Sequence, residues 1–308
     1  MKQFSALLIL LSLILLPACQ TGEGLTTRQA VTGLKALALE TFLADIAQNV
    51  AGERPVVEAL LPVGVDPHSY EPAPLDIARV SESDVIILNG AGFEAFFQKL
   101  LENSGTHALQ IEASKGLQGR QPGEGEPAHP EGDVDPHFWL DPLAVIRYVE
   151  NIRDSLSQVD PVGTEIYTKN AAAYITRLNE LDAWIKAQVA QIPQARRLLV
   201  TNHESFGYYA DRYGFKIVGA IIPSLTTGAS PSAQELARLE NAIRATGAPA
   251  VFLETGANPL LAEQIARETG IHVAPELYTH SLSAADGPAA TYLDMLREDT
   301  RIIVEALR

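Results

Sequence analysis

The sequence predicts an α/β protein in which two lobes, each built on a parallel sheet, are joined by a long helix. Short apolar segments alternate with amphipathic segments, which is the order of elements found in parallel α/β sheets. About 290 residues remain after an N-terminal leader, and 46% of the chain is hydrophobic, which exceeds the usual size of one core. A helical pattern of about 27 residues separates the two halves.

Residues 1–18 have the pattern of an export signal. An apolar run follows Lys2 and is too short to span a bilayer. The run ends in Leu16-Pro17-Ala18-Cys19, which resembles the signals of bacterial lipoproteins. Cys19 is the only cysteine, so it can form no internal disulfide. We therefore predict that Cys19 carries a lipid anchor and that residues 19–30 form a polar tether.

The N-terminal lobe is assigned to residues 31–160. Apolar runs predict strands at 56–62, 85–89 and 107–112, and amphipathic segments predict helices at 75–83 and 93–103. Between them and the long helix, residues 116–135 combine Gly, Pro and acidic residues with almost no periodicity, so we predict a flexible acidic loop. Its single histidine, His129, is either solvated or a weak site of metal capture beside a main site.

A linking helix is predicted for residues 161–192. Asp160 is expected to cap its N-terminus, with Pro161 at the first helical position, and Pro193 ends it. Apolar residues recur along it at helical spacing, namely Ile166, Tyr174, Leu178, Leu181, Ile185 and Val189. A rod of about 40 Å results, long enough to run along both lobes instead of lying within one of them.

The C-terminal lobe is assigned to residues 193–308. Strands are predicted at 198–201, 216–222 and 250–253. Ser232 and Glu235 have the form of a capping box that opens a helix ending near Gly247. A second helix is predicted to start at Asn258-Pro259 and to stop at Gly270.

The charge of the chain excludes one class of partner. The formal net charge is −15, and the leader contains one Lys and no acidic residue, so the mature chain carries −15 − 1 = −16. Such a surface repels the phosphates of nucleic acid and is compatible with a cationic ligand.

The placement of the histidines indicates a metal site. Asp-Pro-His occurs twice, ending at His68 and at His137, and the proline stiffens the loop that presents each imidazole. His203 and His280 also follow strand-like segments, and such loops meet at the carboxyl edge of doubly wound sheets. The intervals of 69, 66 and 77 residues are too long for a zinc finger.

Two other histidines are assigned differently. His107 and His272 lie in strand-like runs, and we expect them to be structural. For any one histidine taken alone, a structural role remains the alternative to metal binding.

Four motifs resemble the zinc and manganese branch of the metal-binding lipoproteins that supply ABC importers. They lie at 64–72, 135–142, 202–208 and 281–296, and the resemblance covers essentially the whole mature chain. It implies two α/β lobes joined by a rigid backbone helix, with one transition-metal ion between them. It also implies that His68, His137 and His203 are ligands. Manganese-selective relatives can carry Glu at the third position, so His203 favours zinc.

The fourth position departs from the pattern of the family, which usually has Asp where this chain has His280. Four imidazoles form a neutral donor set that favours Zn²⁺ over Mn²⁺. We predict His280 as the fourth ligand, with Asp286, Glu254 or water as the alternatives. Glu204, Glu254 or Asp286 is expected to offset the charge of the ion from behind the ligands.

The expected function is extracytoplasmic capture of Zn²⁺, with Mn²⁺ less favoured, by a lipid-anchored monomer that delivers the ion to an ABC importer permease. The expected partners are therefore the ion, the permease and the membrane. Two alternatives remain, a zinc-dependent hydrolase and a metal-binding surface adhesin. A hydrolase needs an open coordination position, which a fourth histidine would fill.

Overall fold

The computed structural model describes residues 33–123 and 134–308, which form a mixed α/β structure. The predicted signal peptide, Cys19, the tether at 19–30, and His129 with half of its acidic loop lie outside the described residues. Within the described ranges, no helix is both long and apolar enough to span a bilayer.

The N-terminal half is built on a parallel sheet of four strands in the order β2-β1-β3-β4. The strands are β1 (Lys35–Ala38), β2 (Val56–Ala59), β3 (Val85–Leu88) and β4 (Leu109–Glu112). The helices are α1 (Thr41–Ala51), α2 (Pro74–Ser81), α3 (Phe97–Ser104) and α4 (Ala144–Val159). Because the strands are parallel, the loops that follow β2 and β3 leave the sheet at one edge, toward the centre of the molecule.

The C-terminal half contains two parallel strand pairs that lie side by side, with β5 next to β7. The strands are β5 (Leu198–His203), β6 (Lys216–Ile222), β7 (Ala250–Glu254) and β8 (His272–Leu277). The helices are α6 (Gly207–Tyr213), α7 (Ala233–Thr246), α8 (Leu260–Thr269) and α9 (Tyr292–Leu307). Every residue of β5 and β7 is buried, which fits strands at the centre of an α/β layer.

The long helix α5 spans Thr164–Val189, 26 residues, after a short 3₁₀ turn at Pro161–Gly163. Asp160 stands at the N-cap position of this turn and Pro161 at its first position, as predicted, but the Asp160 side chain makes no capping hydrogen bond. Its carboxylate instead accepts hydrogen bonds from the Arg54 guanidinium, at 2.7 and 3.1 Å, and from the Tyr167 hydroxyl. The ion pair with the partly buried Arg54 side chain is therefore the main partner of this buried carboxylate.

Several other boundaries differ from the predicted ones. Ile166 was expected in the apolar stripe of the long helix, but it is 40% exposed. The helix predicted to begin at Phe93 begins at Phe97 instead. Residues 93–94 have no regular secondary structure, and residues 95–96 form a turn. The strand β1 and the helices α1, α4, α6 and α9 were not predicted. The capping box is confirmed, since Ser232 Oγ accepts from the Glu235 N–H and Glu235 accepts from the Ser232 N–H.

One large apolar core extends through both halves. It joins side chains of the first half, such as Phe42 and Trp139, to those of the second half, such as Tyr209 and Leu296. Tyr174 on α5 lies in the same cluster. The long helix therefore packs along a core that the two halves share. Lobe boundaries at residues 31–160, 161–192 and 193–308 remain a prediction.

Candidate metal centre

Four imidazole rings meet between the two halves, and they belong to the four histidines that the sequence singled out. One ring nitrogen from each of His68, His137, His203 and His280 lies within 4.8 Å of the others. His137 and His203 are fully buried, His280 is 7% exposed, and His68 is partly exposed. His107 and His272 are outside this group. His272 is an exposed residue of β8, as expected of a strand residue. His107 was also expected in a strand, but it precedes β4.

The two Asp-Pro-His motifs form the same local turn. Asp66 Oδ1 accepts the backbone N–H of His68 at 2.9 Å, and Asp135 Oδ1 accepts that of His137 at 3.0 Å. An aspartate that binds the backbone two residues on closes a tight turn, and the intervening proline fixes its φ. Each histidine is therefore presented from a short, stiff turn.

Asp135 also orients the ring that it presents. Its Oδ1 lies 2.8 Å from His137 Nδ1, and both groups are buried. An ionised carboxylate only accepts hydrogen bonds, so Nδ1 carries the proton and Nε2 keeps its lone pair. Carboxylate partners of this kind fix the tautomer of histidines that bind metals.

Glu254 does the same in the C-terminal half. This buried residue ends β7, and its Oε1 lies 2.7 Å from Nδ1 of His203, which ends β5. Its Oε2 accepts from Thr279 Oγ1 at 2.8 Å and lies 3.7 Å from His280 Nδ1. Burial alone would raise the pKa of Glu254, but the charge and the hydrogen bond of His203 outweigh burial and lower it to about 2. One carboxylate thus lies behind two of the rings.

Two of the remaining nitrogens face each other, and the other two have no hydrogen-bond partner among the described residues. His137 Nε2 and His203 Nε2 are 3.1 Å apart, and they form a hydrogen bond only when one of these two atoms carries a proton. Within the described chain, His68 Nε2 and His280 Nε2 are buried without any hydrogen-bond partner. Buried polar atoms are normally satisfied, so these two unpaired nitrogens, which converge with those of His137 and His203, indicate a bound cation.

The rings differ in their proton affinity. Burial and the nearby His203 lower the pKa of His68 to about 4 and lower the pKa of His137 well below its usual value. The same two causes lower the pKa of His280. Burial also acts against protonation of His203, but the charge and the hydrogen bond of Glu254 raise its pKa. Three of the imidazoles are therefore neutral at neutral pH and ready to donate to a metal.

Aromatic side chains close the site on one side. The Phe93 ring lies 5.0 Å from the His68 ring, and Trp139 lies 5.2 Å from His137. Trp139 Nε1 donates to the Thr279 carbonyl at 2.7 Å, which ties the two halves together beside the rings.

Two cavities reach the rings. One, of about 410 Å³, adjoins His68 and is lined mainly by apolar residues, including Phe93 and Pro136. The other, of about 250 Å³, adjoins His280 and is lined by more polar residues, including Asp66 and Glu254. The site is therefore reachable from solvent by two routes of different polarity.

Sequence reasoning identified the four rings but only part of what supports them. Of the three acids expected behind the ligands, Glu254 is in contact with the rings, and Asp286 is exposed in a loop. The roles of Asp135, Phe93 and Thr279 were missed. The aspartate could have been recognised, since an Asp two residues before a His can close a turn on its backbone.

The donor set fits a transition metal. Neutral imidazole nitrogens are ligands for Zn²⁺ and its neighbours in the first transition row, and the two buried carboxylates behind the rings offset the charge of such an ion. The ion would be cargo, held by ligands from both halves, because two of the rings come from each half.

The chain is similar to proteins that are named for three different metals. The manganese-binding lipoprotein MntA of Halalkalibacterium halodurans is 34% identical over 100% of this chain and 99% of its own length. The iron-binding protein YfeA of Yersinia pestis is 33% identical over 83% of this chain and 80% of its own length. The structure of the periplasmic zinc binding protein TroA of Treponema pallidum superposes with a TM-score of 0.80 at 25% identity, covering 89% of this chain and 99% of that one.

The family described as zinc-uptake complex component A, periplasmic, matches residues 38–306, which include all four histidines and both halves of the molecule. The chain belongs to this family.

Proposed function

We propose that this protein captures Zn²⁺ outside the cytoplasm, between its two halves, and delivers it as a monomer to the permease of an ABC importer. The observation that carries the proposal is the convergence of four ring nitrogens within 4.8 Å, three of them on neutral imidazoles. His68 and His137 would bind the ion from the N-terminal half, and His203 and His280 from the C-terminal half. Binding and release of an ion require no catalysis.

Zinc is proposed over manganese because of the donor atoms. Mn²⁺ prefers oxygen ligands, whereas Zn²⁺ binds well to imidazole. The relatives are named for manganese, iron and zinc, so membership of the family does not select among them. The four nitrogens of this site support the proposal of zinc, since Asp135 and Glu254 are each occupied by a histidine Nδ1 and act from behind the rings.

The direct test is elemental analysis of protein purified without added metal, followed by competition between Zn²⁺ and Mn²⁺. We expect about one zinc per chain and displacement of Mn²⁺ by a much smaller concentration of Zn²⁺. Preferential retention of manganese would contradict the metal assignment, while failure to retain any divalent metal would contradict the function.

The pKa values of the rings predict the pH dependence of zinc binding. Only His203 has a raised pKa, so one proton must leave this ring when the ion binds at a pH below that pKa. Affinity should therefore fall by about tenfold per pH unit on acidification through that range. A second proton competes only when the pH approaches about 4, where His68 titrates.

This pH dependence can be measured by titrating zinc against a chelator of known affinity at a series of pH values. A slope close to one proton per ion is expected near pH 6. A slope of two or more in that range would show that further imidazoles are protonated in the metal-free protein.

The proposed lipid anchor makes its own prediction. If Cys19 carries the lipid, Cys19→Ala should move the protein from the membrane fraction to a soluble or uncleaved form, because acyl chains supply membrane affinity that the acidic chain lacks. Membrane fractionation with immunodetection measures the result. The Cys19→Ala protein remaining in the membrane fraction at the parent level would contradict lipidation.

A further inference from the structure

We infer that Tyr208 and Thr227, two hydroxyl residues of the C-terminal half, are positioning residues that hold the two Asp-Pro-His turns in place and slow release of the ion. The inference rests on the proposed function. It follows from an observation that the ligands alone do not explain: the aspartate of each turn is bound by a hydroxyl from the opposite half.

The first of these contacts is made by Tyr208 on α6. Its hydroxyl donates to the backbone carbonyl of Asp135 at 2.8 Å and accepts the backbone N–H of Arg120 at 3.2 Å. The carboxylate of the same Asp135 holds His137 by its Nδ1 and its backbone N–H. Asp135 therefore connects Tyr208 to the proposed ligand His137, and hydrogen bonds hold Asp135 at both its carbonyl and its side chain.

A second contact secures α6 against the same segment of the N-terminal half. The Arg120 guanidinium forms two hydrogen bonds to Asp211, at 2.9 and 3.1 Å. It passes over Gly207, where a Cβ atom would lie 2.6 Å from the guanidinium, so the helix and the arginine approach each other closely. The ring of Tyr208 also packs on that of Phe138, with centroids 4.7 Å apart.

Thr227 makes the equivalent contact with the other turn. This residue follows β6, and its Oγ1 donates to Asp66 Oδ2. The other oxygen of this carboxylate, Oδ1, accepts the backbone N–H of His68. The Asp66 carboxylate is therefore shared between a histidine of its own turn and a hydroxyl from the other half.

The two contacts make the position of each N-terminal ring depend on the position of the C-terminal half. When the halves are together, the hydroxyls fix both aspartates, and the aspartates fix His68 and His137. When the halves move apart, both hydroxyl contacts break, and the turns lose one restraint each. Removal of these contacts destabilises the closed protein that holds the ion. It should therefore raise the dissociation rate of the ion more than it lowers the association rate.

Two substitutions remove the hydroxyls and keep the shape of the side chains. Tyr208→Phe retains the ring that packs on Phe138, and Thr227→Val retains the branched side chain. A hydrogen bond has a net value of about 1 kcal/mol, so each variant should release Zn²⁺ about five- to tenfold faster, and the double variant faster than either. Release is measured by stopped-flow chase with excess chelator.

Matched controls separate positioning from general destabilisation. Thr227→Ser keeps a hydroxyl and should restore slow release. Tyr209→Phe, on the same helix, removes a buried hydroxyl that bonds Thr300 at 3.0 Å in the C-terminal half, and should lower the melting temperature without changing release. The visible absorption of the Co²⁺-loaded protein should change in Tyr208→Phe and Thr227→Val but not in Tyr209→Phe.

Three outcomes overturn the inference, and they are distinguishable. If the parent binds zinc and Tyr208→Phe and Thr227→Val release it at the parent rate, the inference is wrong and the proposed function stands. If the parent chain itself does not retain zinc, the proposed function fails and the inference fails with it. Accelerated release in Tyr209→Phe equal to that in Tyr208→Phe would also overturn it, by showing a general loss of stability.

Discussion

Zinc should raise the thermal stability of this protein strongly. Ligands from both halves bind one ion only in the folded state, so the free energy of unfolding should rise by about 4 kcal/mol at a thousandfold excess of Zn²⁺ over its Kd. For a chain of this size the melting temperature should increase by roughly ten degrees. The increase is measured by calorimetry or differential scanning fluorimetry across a zinc titration.

The control for this prediction is His137→Ala, which removes a fully buried ring of the cluster. Its melting temperature should respond much less to zinc than that of the parent. A parent melting curve that does not move with zinc would contradict a site shared between the halves.

His280→Ala should weaken zinc binding by at least about tenfold, because water replaces the lost imidazole. The ring is 7% exposed and its Nε2 has no partner among the described residues, which suits a ligand and not a structural side chain. His280→Asp should restore binding and improve the relative affinity for Mn²⁺, which prefers oxygen donors. Isothermal titration with both metals measures the two effects.

His68→Ala provides the comparison for loss of a ligand at a position that matches the motif of the family. Both alanine variants are expected to lose affinity. If His280→Ala bound zinc as tightly as the parent while His68→Ala did not, the fourth donor would lie elsewhere. Asp286 is exposed and outside the cluster, so water would then be the first alternative.

The four histidines could be predicted because each follows a chain feature with a known geometry. The two prolines stiffen the turns at His68 and His137, and the ends of parallel strands bring His203 to the same edge. His280 was found by the same reasoning, although the family usually has Asp there. The sequence was sufficient to predict the site at positions where the neighbouring residues determine the direction of the side chain.

What the sequence did not reveal depends on contacts between distant segments. The sequence did not distinguish Glu254 from the two other acids expected behind the ligands. Only the position of β7 beside β5 places Glu254 next to His203. Asp160 has the sequence position of a helix cap, yet Arg54, 106 residues away, takes its carboxylate. The strand β1 was missed although it has four residues, the same length as the predicted strands β2, β3 and β4.

The shared apolar core also limits how the protein can move. Tyr292 at the start of α9 donates a hydrogen bond to the Trp139 carbonyl at 2.6 Å, and both rings belong to the core that joins the halves. Exposing apolar surface costs about 25 cal/mol per Å², so a separation that wets 200 Å² of this core would cost about 5 kcal/mol. Thermal energy rarely supplies that much. Under the proposed function, work done on the protein by an importer would therefore be the source of a wide opening, and loading of the ion would take place through small displacements of the loops.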